Sequence, residues 1–451
     1  MWTVINKNDY NNYLLKYPNL EDYKNEIILY ETANEFILPR LFYYNYPDKS
    51  LILKQNNHSQ FDTINVTFKQ NLLDRQKSVL NDIQNIYLTN KYVNGIIEAQ
   101  PGFGKTVMSI YLATQLFKLK PIFIIDNTKL SEQWIADIIE FTSLTKDDIG
   151  IIQGSKIEYN KKVYIGFVQT FSSKIKKDLK SFYNSINKLN IGVVFYDECH
   201  KTTSAEVYSK SSLVFNTKNI IGLSATPFVS NLHKILLYNT IGKIISKYKS
   251  YEITPTIIHH FYDSKIKPNI INSITNCYYK DPLMAKSKYN SIITTSKEYV
   301  NTIYNIINNI NKNNNNRRII VICFTKKQIE VIYEYLKSKS IESIMFFSKQ
   351  TNVDKDKDKI LIATYAYASH GFNYKALTDI ILACPLDGKK SLIQCVGRVL
   401  RECDGKTSAN VYDLQDTACP IIFENKLPLR TKILKNEFNC NFKSENYVDI
   451  S

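Results

Sequence analysis

The 451-residue chain lacks the cysteine spacing of a zinc knuckle or a redox centre. Its eight cysteines stand at 199, 277, 323, 384, 395, 403, 419 and 440, with no pair two residues apart. They read as reduced thiols, and no structural metal is expected. The six histidines are equally scattered; His259 and His260 are adjacent, but neighbours in a strand point to opposite faces and make a poor ligand pair. No apolar run approaches the ~18 residues of a membrane span. Met1 to Asp9 contain no basic region followed by an apolar core. The expectation is a soluble, unprocessed, intracellular chain with no membrane partner. Acidic residues are also in deficit, 42 Asp and Glu against 58 Lys and Arg, for a formal net charge of +16. Such an excess suits a polyanion such as nucleic acid. It also follows from the Asn/Lys/Ile/Tyr-rich usage of an AT-rich genome, and charge alone does not choose between the two.

What is present is ordinary in bulk, 44% hydrophobic and 22% charged, at a length that suggests roughly three domains. The informative stretch is Ala99-Gln100-Pro101-Gly102-Phe103-Gly104-Lys105-Thr106. It follows the apolar run Gly95 to Glu98 and precedes Val107, Ile110, Ala113 or Thr114, and Phe117, which fall at helical spacing. A strand, a glycine loop and a helix start in that order aim backbone N–H groups at the positive end of a helix, where a polyphosphate can sit. Gly102 and Gly104 shape the loop, Lys105 would reach the terminal phosphates, and the Thr106 hydroxyl would ligate Mg²⁺. Just upstream, Gln76 offers one amide donor and one acceptor, which suits the edge of an adenine.

A second block, Ile191 to Tyr196 followed by Asp197-Glu198-Cys199-His200, is a buried strand ending in two acids. Carboxylates at the mouth of a parallel sheet are costly without a compensating cation, and Mg²⁺ supplies one. Asp197 is assigned to the metal, Glu198 to orienting and deprotonating a water, and His200 to coupling the site to its surroundings. The strand at Ile220 to Ser224 closes this unit at Ala225-Thr226-Pro227, and the pattern relaxes between 241 and 255.

A second alternating unit begins with Ile319 to Thr325, after helical material at 281–310 and a polar loop from Ile310 to Arg318. It ends in Gln394-Cys395-Val396-Gly397-Arg398-Val399-Leu400-Arg401. On a helix, Arg398 and Arg401 share one face, with Gln394 one turn earlier on the adjoining side. This is the pattern of an arginine finger supplied from a second domain; an ordinary solvated basic helix would look the same in isolation. Residues 1 to about 60 carry short β-like pieces, 26–30 and 51–54, and no catalytic pattern. Their tyrosines, Tyr43 and Tyr44 among them, could stack on bases, although core packing is the simpler role.

Taken in order, these blocks resemble a superfamily 2 helicase of the DExH type. Gln76 matches the Q-like motif, 99–106 motif I, Asn127 to Trp134 motif Ia, and Gln169-Thr170 motif Ib/Ic. Asp197 to His200 match motif II, Ser224-Ala225-Thr226 motif III, 320–325 motif IV, 361–374 motif V and 394–401 motif VI. Leu38-Pro39-Arg40 and the Gly397 to Glu402 tail look most like the viral branch, with its phage branch-migration and poxvirus transcript-release helicases. Two positions depart from the pattern: Asn373 stands where many relatives carry an aspartate that contacts the ATP ribose, and Gln394 where many carry histidine.

The resemblance implies an α/β fold of two tandem RecA-like parallel-sheet domains, 61–245 and 246–451, behind an N-terminal accessory module, 1–60, that is a candidate nucleic-acid binder. It implies ATP and Mg²⁺ as cofactors, with Asn373 among the ATP contacts, Ser224 and Thr226 beside His200 as coupling residues, and Thr170 and Thr364 gripping nucleic acid by its phosphates. The implied activity is ATP-driven movement along DNA with unwinding or branch migration. Transcript release, the stripping of RNA polymerase, and RNA unwinding are alternatives. A scaffold with a vestigial ATPase is disfavoured, because each catalytic position holds a competent residue. The partners implied are forked or branched DNA ahead of RNA, and RNA polymerase or replication and recombination proteins. The chain would act as a monomer and, if viral, in host cytoplasm or virion.

Overall fold

The computed structural model describes residues 2–54, 60–126, 128–199, 209–228, 230–313, 316–346, 359–368, 374–386, 388–401, 403, 405–423 and 426–446. Asn127, His200 and Asn373 lie outside the described residues, as does His58. The chain divides into two compact units, Met1–Lys249 and Ser250–Ser451. Among the described residues, no helix is long and apolar enough to cross a membrane.

The first unit holds two sheets. The small one is antiparallel, order β2-β3-β1-β4, from β1 (Trp2–Asn6), β2 (Tyr30–Glu31), β3 (Glu35–Leu38) and β4 (Leu51–Lys54). The large one contains β5 (Asn94–Ala99), β6 (Pro121–Ile125), β7 (Ile149–Gln153), β8 (Lys156–Ile157), β9 (Val163–Phe167), β10 (Val193–Tyr196), β11 (Asn219–Ser224) and β12 (Ile244–Tyr248). Their order is β12-β5-β11-β10-β6-β9-β7-β8, parallel except for the β7–β8 pair. These strands are apolar along their length because a parallel sheet is covered on both faces. Successive residues alternate between the two cores: Ile96, Ile122, Val194 and Ile220 enter one, and Ile97, Phe123, Phe195 and Ile221 the other.

The first of those cores contains Val4, Ile37, Leu38 and Phe42 as well. The residues that the sequence assigned to an accessory module thus lie in the first unit and share its core. The Trp2 indole donates to the Leu213 carbonyl at 2.7 Å and packs edge-on against Tyr183, and the Leu41 amide donates to the Asn239 carbonyl at 2.7 Å. The segment 26–29 is not a strand, although Ile27 and Leu29 are buried, and β1 carries much of the pairing instead. Tyr43 and Tyr44 do not pack in the core; they are 38% and 55% exposed.

The second unit is one parallel sheet, order β15-β16-β14-β17-β18-β13-β19. Its strands are β13 (Pro255–Tyr262), β14 (Ile319–Cys323), β15 (Ile344–Phe346), β16 (Ile360–Thr364), β17 (Asp379–Leu382), β18 (Ala409–Asp416) and β19 (Asn441–Asn446). Helices Lys297–Asn313 and Lys326–Ser338 cover one face, and the first takes in the first four residues, 310–313, of the stretch that the sequence assigned to a polar loop. The eight cysteines are free thiols.

The docking of the module makes a direct prediction. Replacing Trp2 with Ala removes a partly buried hydrogen bond and an aromatic pair, each worth about 1 kcal/mol. Urea unfolding followed by circular dichroism should show a loss of about 2 kcal/mol. An unchanged midpoint would mean that the module is not docked in solution.

Candidate nucleotide site

In the first unit β5, β11 and β10 are neighbours, so the segments that leave their carboxyl ends emerge side by side. Those segments are the glycine loop, the Ser224–Thr226 turn and the Asp197-Glu198 turn. Ligands of parallel sheets bind at this edge.

The loop runs from Gln100 to Gly104 and leads into the helix Lys105–Tyr111, continued by a π-helical turn, Leu112–Phe117. Gly102 and Gly104 have φ of 85° and 88°, the left-handed region that glycine enters at little cost. The first helical backbone bond is Met108 N–H to the Gly104 carbonyl, so the amides of Lys105, Thr106 and Val107 precede it, as helix-start amides do. The Lys105 ammonium donates to the Ala99 and Gln100 carbonyls at 3.0 and 3.3 Å, which holds it over the loop. Phe103 anchors the loop from within, buried and tilted against Tyr248 with centroids 5.2 Å apart.

Gln76 has a different role from the base reader that the sequence suggested. Its Oε1 accepts from the Leu73 amide at 3.0 Å, and its Nε2 donates to the carbonyls of Phe103 and Gly104 at 3.2 and 3.4 Å. The side chain is 3% exposed. With both polar ends engaged inside the fold, Gln76 braces the loop.

Asp197 follows β10, and its amide donates to the Ile124 carbonyl at 3.0 Å. Its Oδ2 accepts a long 3.4 Å hydrogen bond from the indole of Trp134, which sits in the core against Phe123. Glu198 has a positive φ of 46°, strained for a residue with a side chain and typical of functional turns. The Cys199 amide donates to the Leu223 carbonyl at 3.0 Å and ties this turn to β11. Burial, with the nearby Glu198 carboxylate, pushes its thiol well above the ordinary range, so it is inert packing. Ser224 is fully buried and its Oγ accepts from the Thr226 amide at 3.0 Å, which fixes the third turn. Sequence reading missed Trp134 as a partner of the acid. It also missed Glu98, a buried acid two residues before the loop, paired with Lys247 and Lys249 at 3.5 and 3.4 Å.

The structure thus gathers Lys105, Thr106, Asp197, Glu198, Ser224 and Thr226 at one sheet edge. Thr170 lies elsewhere in the same unit, buried in the helix Val168–Asn187, and its hydroxyl oxygen accepts from the Gly154 amide at 3.1 Å. It fastens a turn and is not an exposed grip for phosphate.

In the second unit Gln394 is buried on the helix Lys389–Val396. That helix ends before the arginines: Gly397 is its C-cap, and the Arg398 and Val399 amides make three-residue turns to Cys395 and Val396. Arg398 and Arg401 therefore sit on turns, and the shared helical face expected for them does not form. Burial, and then the charge of Arg398, push the Arg401 guanidinium below its ordinary range. Thr364 ends β16, paired with Cys323, and is half-buried.

The donor set fits a nucleoside triphosphate with a divalent cation: a loop with left-handed glycines, a lysine over it, a threonine at the helix start and two acids in the turn after β10, one strand removed from the loop's own strand. This edge and this strand order define a P-loop domain of the RecA-like type. Residues 69–229 match the family of the type III restriction enzyme res subunit. The chain is 24% identical to the probable helicase D10 of Escherichia phage T5 over 71% of its length and 67% of that protein's. It is 25% identical to putative helicase 22 of a Sulfolobus islandicus filamentous virus over 96% and 82%. Identity to the ATP-dependent DNA helicase uvsW of Enterobacteria phage T4 is 23% over 72% and 65%.

Among solved structures, yeast Dbp5 bound to RNA and ADP·BeF₃ superposes with a TM-score of 0.51 at 16% identity, covering 83% of this chain and 94% of that one. The type ISP restriction-modification enzyme LlaBIII bound to DNA gives 0.57 at 14% identity over 90% of this chain, which spans only 32% of that much longer one. In sequence the chain is similar to phage and viral proteins that bear the name of helicases, and in fold it is similar to solved structures of nucleic-acid-bound ATP-dependent enzymes.

The loop geometry separates two glycines that share a positive φ. Gly154 has open space around it, whereas a Cβ on Gly104 would stand 2.5 Å from Gln76 Nε2 and push the brace off the loop. Gly154→Ala should cost about 1 kcal/mol of stability and leave ATP affinity unchanged. Gly104→Ala should weaken ATP binding at least about tenfold, since one 1.4 kcal/mol interaction is a factor of ten. Titration with a fluorescent ATP analogue checks both.

Proposed function

We propose that the chain is an ATP-driven motor that moves along DNA and unwinds or branch-migrates it. The observation that carries this reading is the meeting of the phosphate loop and the Asp197-Glu198 turn at the ends of strands separated only by β11. Loop amides and Lys105 hold the polyphosphate. Thr106 and Asp197 would hold Mg²⁺, which when bound neutralises charge on the phosphates. Glu198 orients the attacking water and takes its proton. Ser224 and Thr226 lie on the turn from the strand between loop and acids, so a shift at either is felt there.

Arg398 and Arg401 belong to the same reaction in this reading. Burial, and then the charge of Arg398, disfavour the charged Arg401 guanidinium, and a nearby anion favours it. A developing phosphoryl charge is such an anion, and an arginine so used adds about 10³ to 10⁵ in rate, roughly 4 to 7 kcal/mol of barrier. Gln394 is a further candidate for the γ-phosphate, and Thr364 for the nucleic-acid backbone. DNA is favoured because a phage relative matched over 72% of this chain bears the name of a DNA helicase, and the net charge of +16 suits any phosphate backbone.

Lys105→Ala should abolish DNA-stimulated ATP hydrolysis; wild-type turnover in that variant would overturn the phosphate-loop assignment. Arg398→Ala should lower kcat by about 10³ while the Kd for ATP stays within a few-fold of wild type. A collapse of ATP binding with unchanged turnover per bound ATP would remove the arginine from the chemistry.

A further inference from the structure

A cleft of about 580 Å³ lies in the first unit, well away from the phosphate loop in sequence, between the N-terminal module and the helix Asn231–Thr240. Its size falls within the ~300 to 1,000 Å³ of small-ligand sites. The module contributes Tyr23 and Tyr46, and the helix contributes Tyr238, so three half-buried rings line one space. The side-chain amides of Asn19 and Asn231 are exposed at it, and Lys234 and Lys243 bring two cations against the single acid Asp22. Lys234 already lies over the Tyr238 ring, 5.6 Å from its centroid.

We infer that this cleft binds a short segment of single-stranded nucleic acid, one to a few nucleotides long, as a second contact outside the ATPase site. Ring faces stack on bases, amides pair with base edges, and lysines meet the phosphates between them. Only unpaired bases offer free faces and edges, so a duplex cannot use this lining. A protein segment would look for aliphatic surface, and among the described residues Ile235 is the one aliphatic side chain that lines the cleft. Tyr43 and Tyr44, which precede the lining residues Asn45 and Tyr46 in sequence, are exposed. The helix Asn231–Thr240 starts a few residues after the Ser224–Thr226 turn, so a strand held here is connected to the nucleotide edge through one short segment. The inference adds a strand-binding site to the motor reading, and its binding arm stands without that reading.

The test uses the full chain and a fluorescent oligothymidylate, with the double variant Lys234→Gln/Lys243→Gln. Both lysines are exposed and outside the ATPase site, so ATP hydrolysis without DNA should equal wild type. Binding of the oligonucleotide should weaken about tenfold, and the slope of log K against log salt should become shallower by about 1.4, the value for two lost phosphate contacts on a single strand. Photocrosslinking with a 4-thiothymidine oligonucleotide should label Tyr23, Tyr46 or Tyr238. Unchanged affinity and slope, or crosslinks confined to other surfaces, would overturn the inference, as would weakened binding of blunt duplex in equal measure. If the wild-type protein showed no DNA-stimulated ATPase while the crosslinks fell in the cleft, the motor reading would fail and the cleft assignment would stand.

Discussion

The first unit depends on one buried amide. Gln76 lies far from the phosphate loop in sequence, yet its Nε2 reaches the carbonyls of Phe103 and Gly104 while its Oε1 closes the start of its own helix. A loop that must leave several amides open to a ligand cannot hold its shape by its own backbone bonds. It has to be held from outside. Gln76 holds it on one side and the buried Phe103 ring on another, and Lys105 is drawn back over it by the Ala99 and Gln100 carbonyls. Each of these would lose its geometry if a side chain at Gly104 displaced the amide. The left-handed φ of Gly104 and the absence of a Cβ are therefore two demands on one position.

The same logic of external support explains why the N-terminal module is not a separate body. A parallel sheet needs cover on both faces. One face of the first unit's sheet is covered by helices that follow the loop, and the other shares its core with Val4, Ile37 and Phe42 from the module. The module contributes cover for the sheet and one wall of the cleft beside the helix Asn231–Thr240 in a single act of packing.

Sequence pattern reached the catalytic edge well because the features that build it are local. Strands buried on both faces read as unbroken apolar runs, a glycine loop before a helix is contiguous, and Asp197-Glu198 at a strand end stands out by its cost. Pattern failed where a role is settled by a partner distant in the chain. Gln76 has the chemistry of a base reader, and only its contacts with Phe103 and Gly104 reassign it. Trp134 closes the stretch matched to motif Ia, but nothing local marks it as a donor to Asp197. The arginines were placed on a helix because their spacing allows it, although Gly397 between them and Gln394 is a local stop signal that would have corrected the placement. The docking of β1 had no local signal, since its cover comes from Leu213 and Tyr183.

Ending that helix at Val396 changes what the arginines can do. On a helix their spacing would be fixed, and both would move with the helix as one rigid rod. On consecutive turns after a glycine C-cap, each guanidinium is placed by its own contacts, and Arg401 is further held at its carbonyl by the Lys406 ammonium at 2.9 Å. Burial and Arg398 together disfavour its charge, an effect that a phosphate brought close by the proposed reaction would oppose. Under the proposed function, such opposition grows with the negative charge on the phosphoryl group, and a group that speeds phosphoryl transfer more than it tightens substrate binding has to respond in that way.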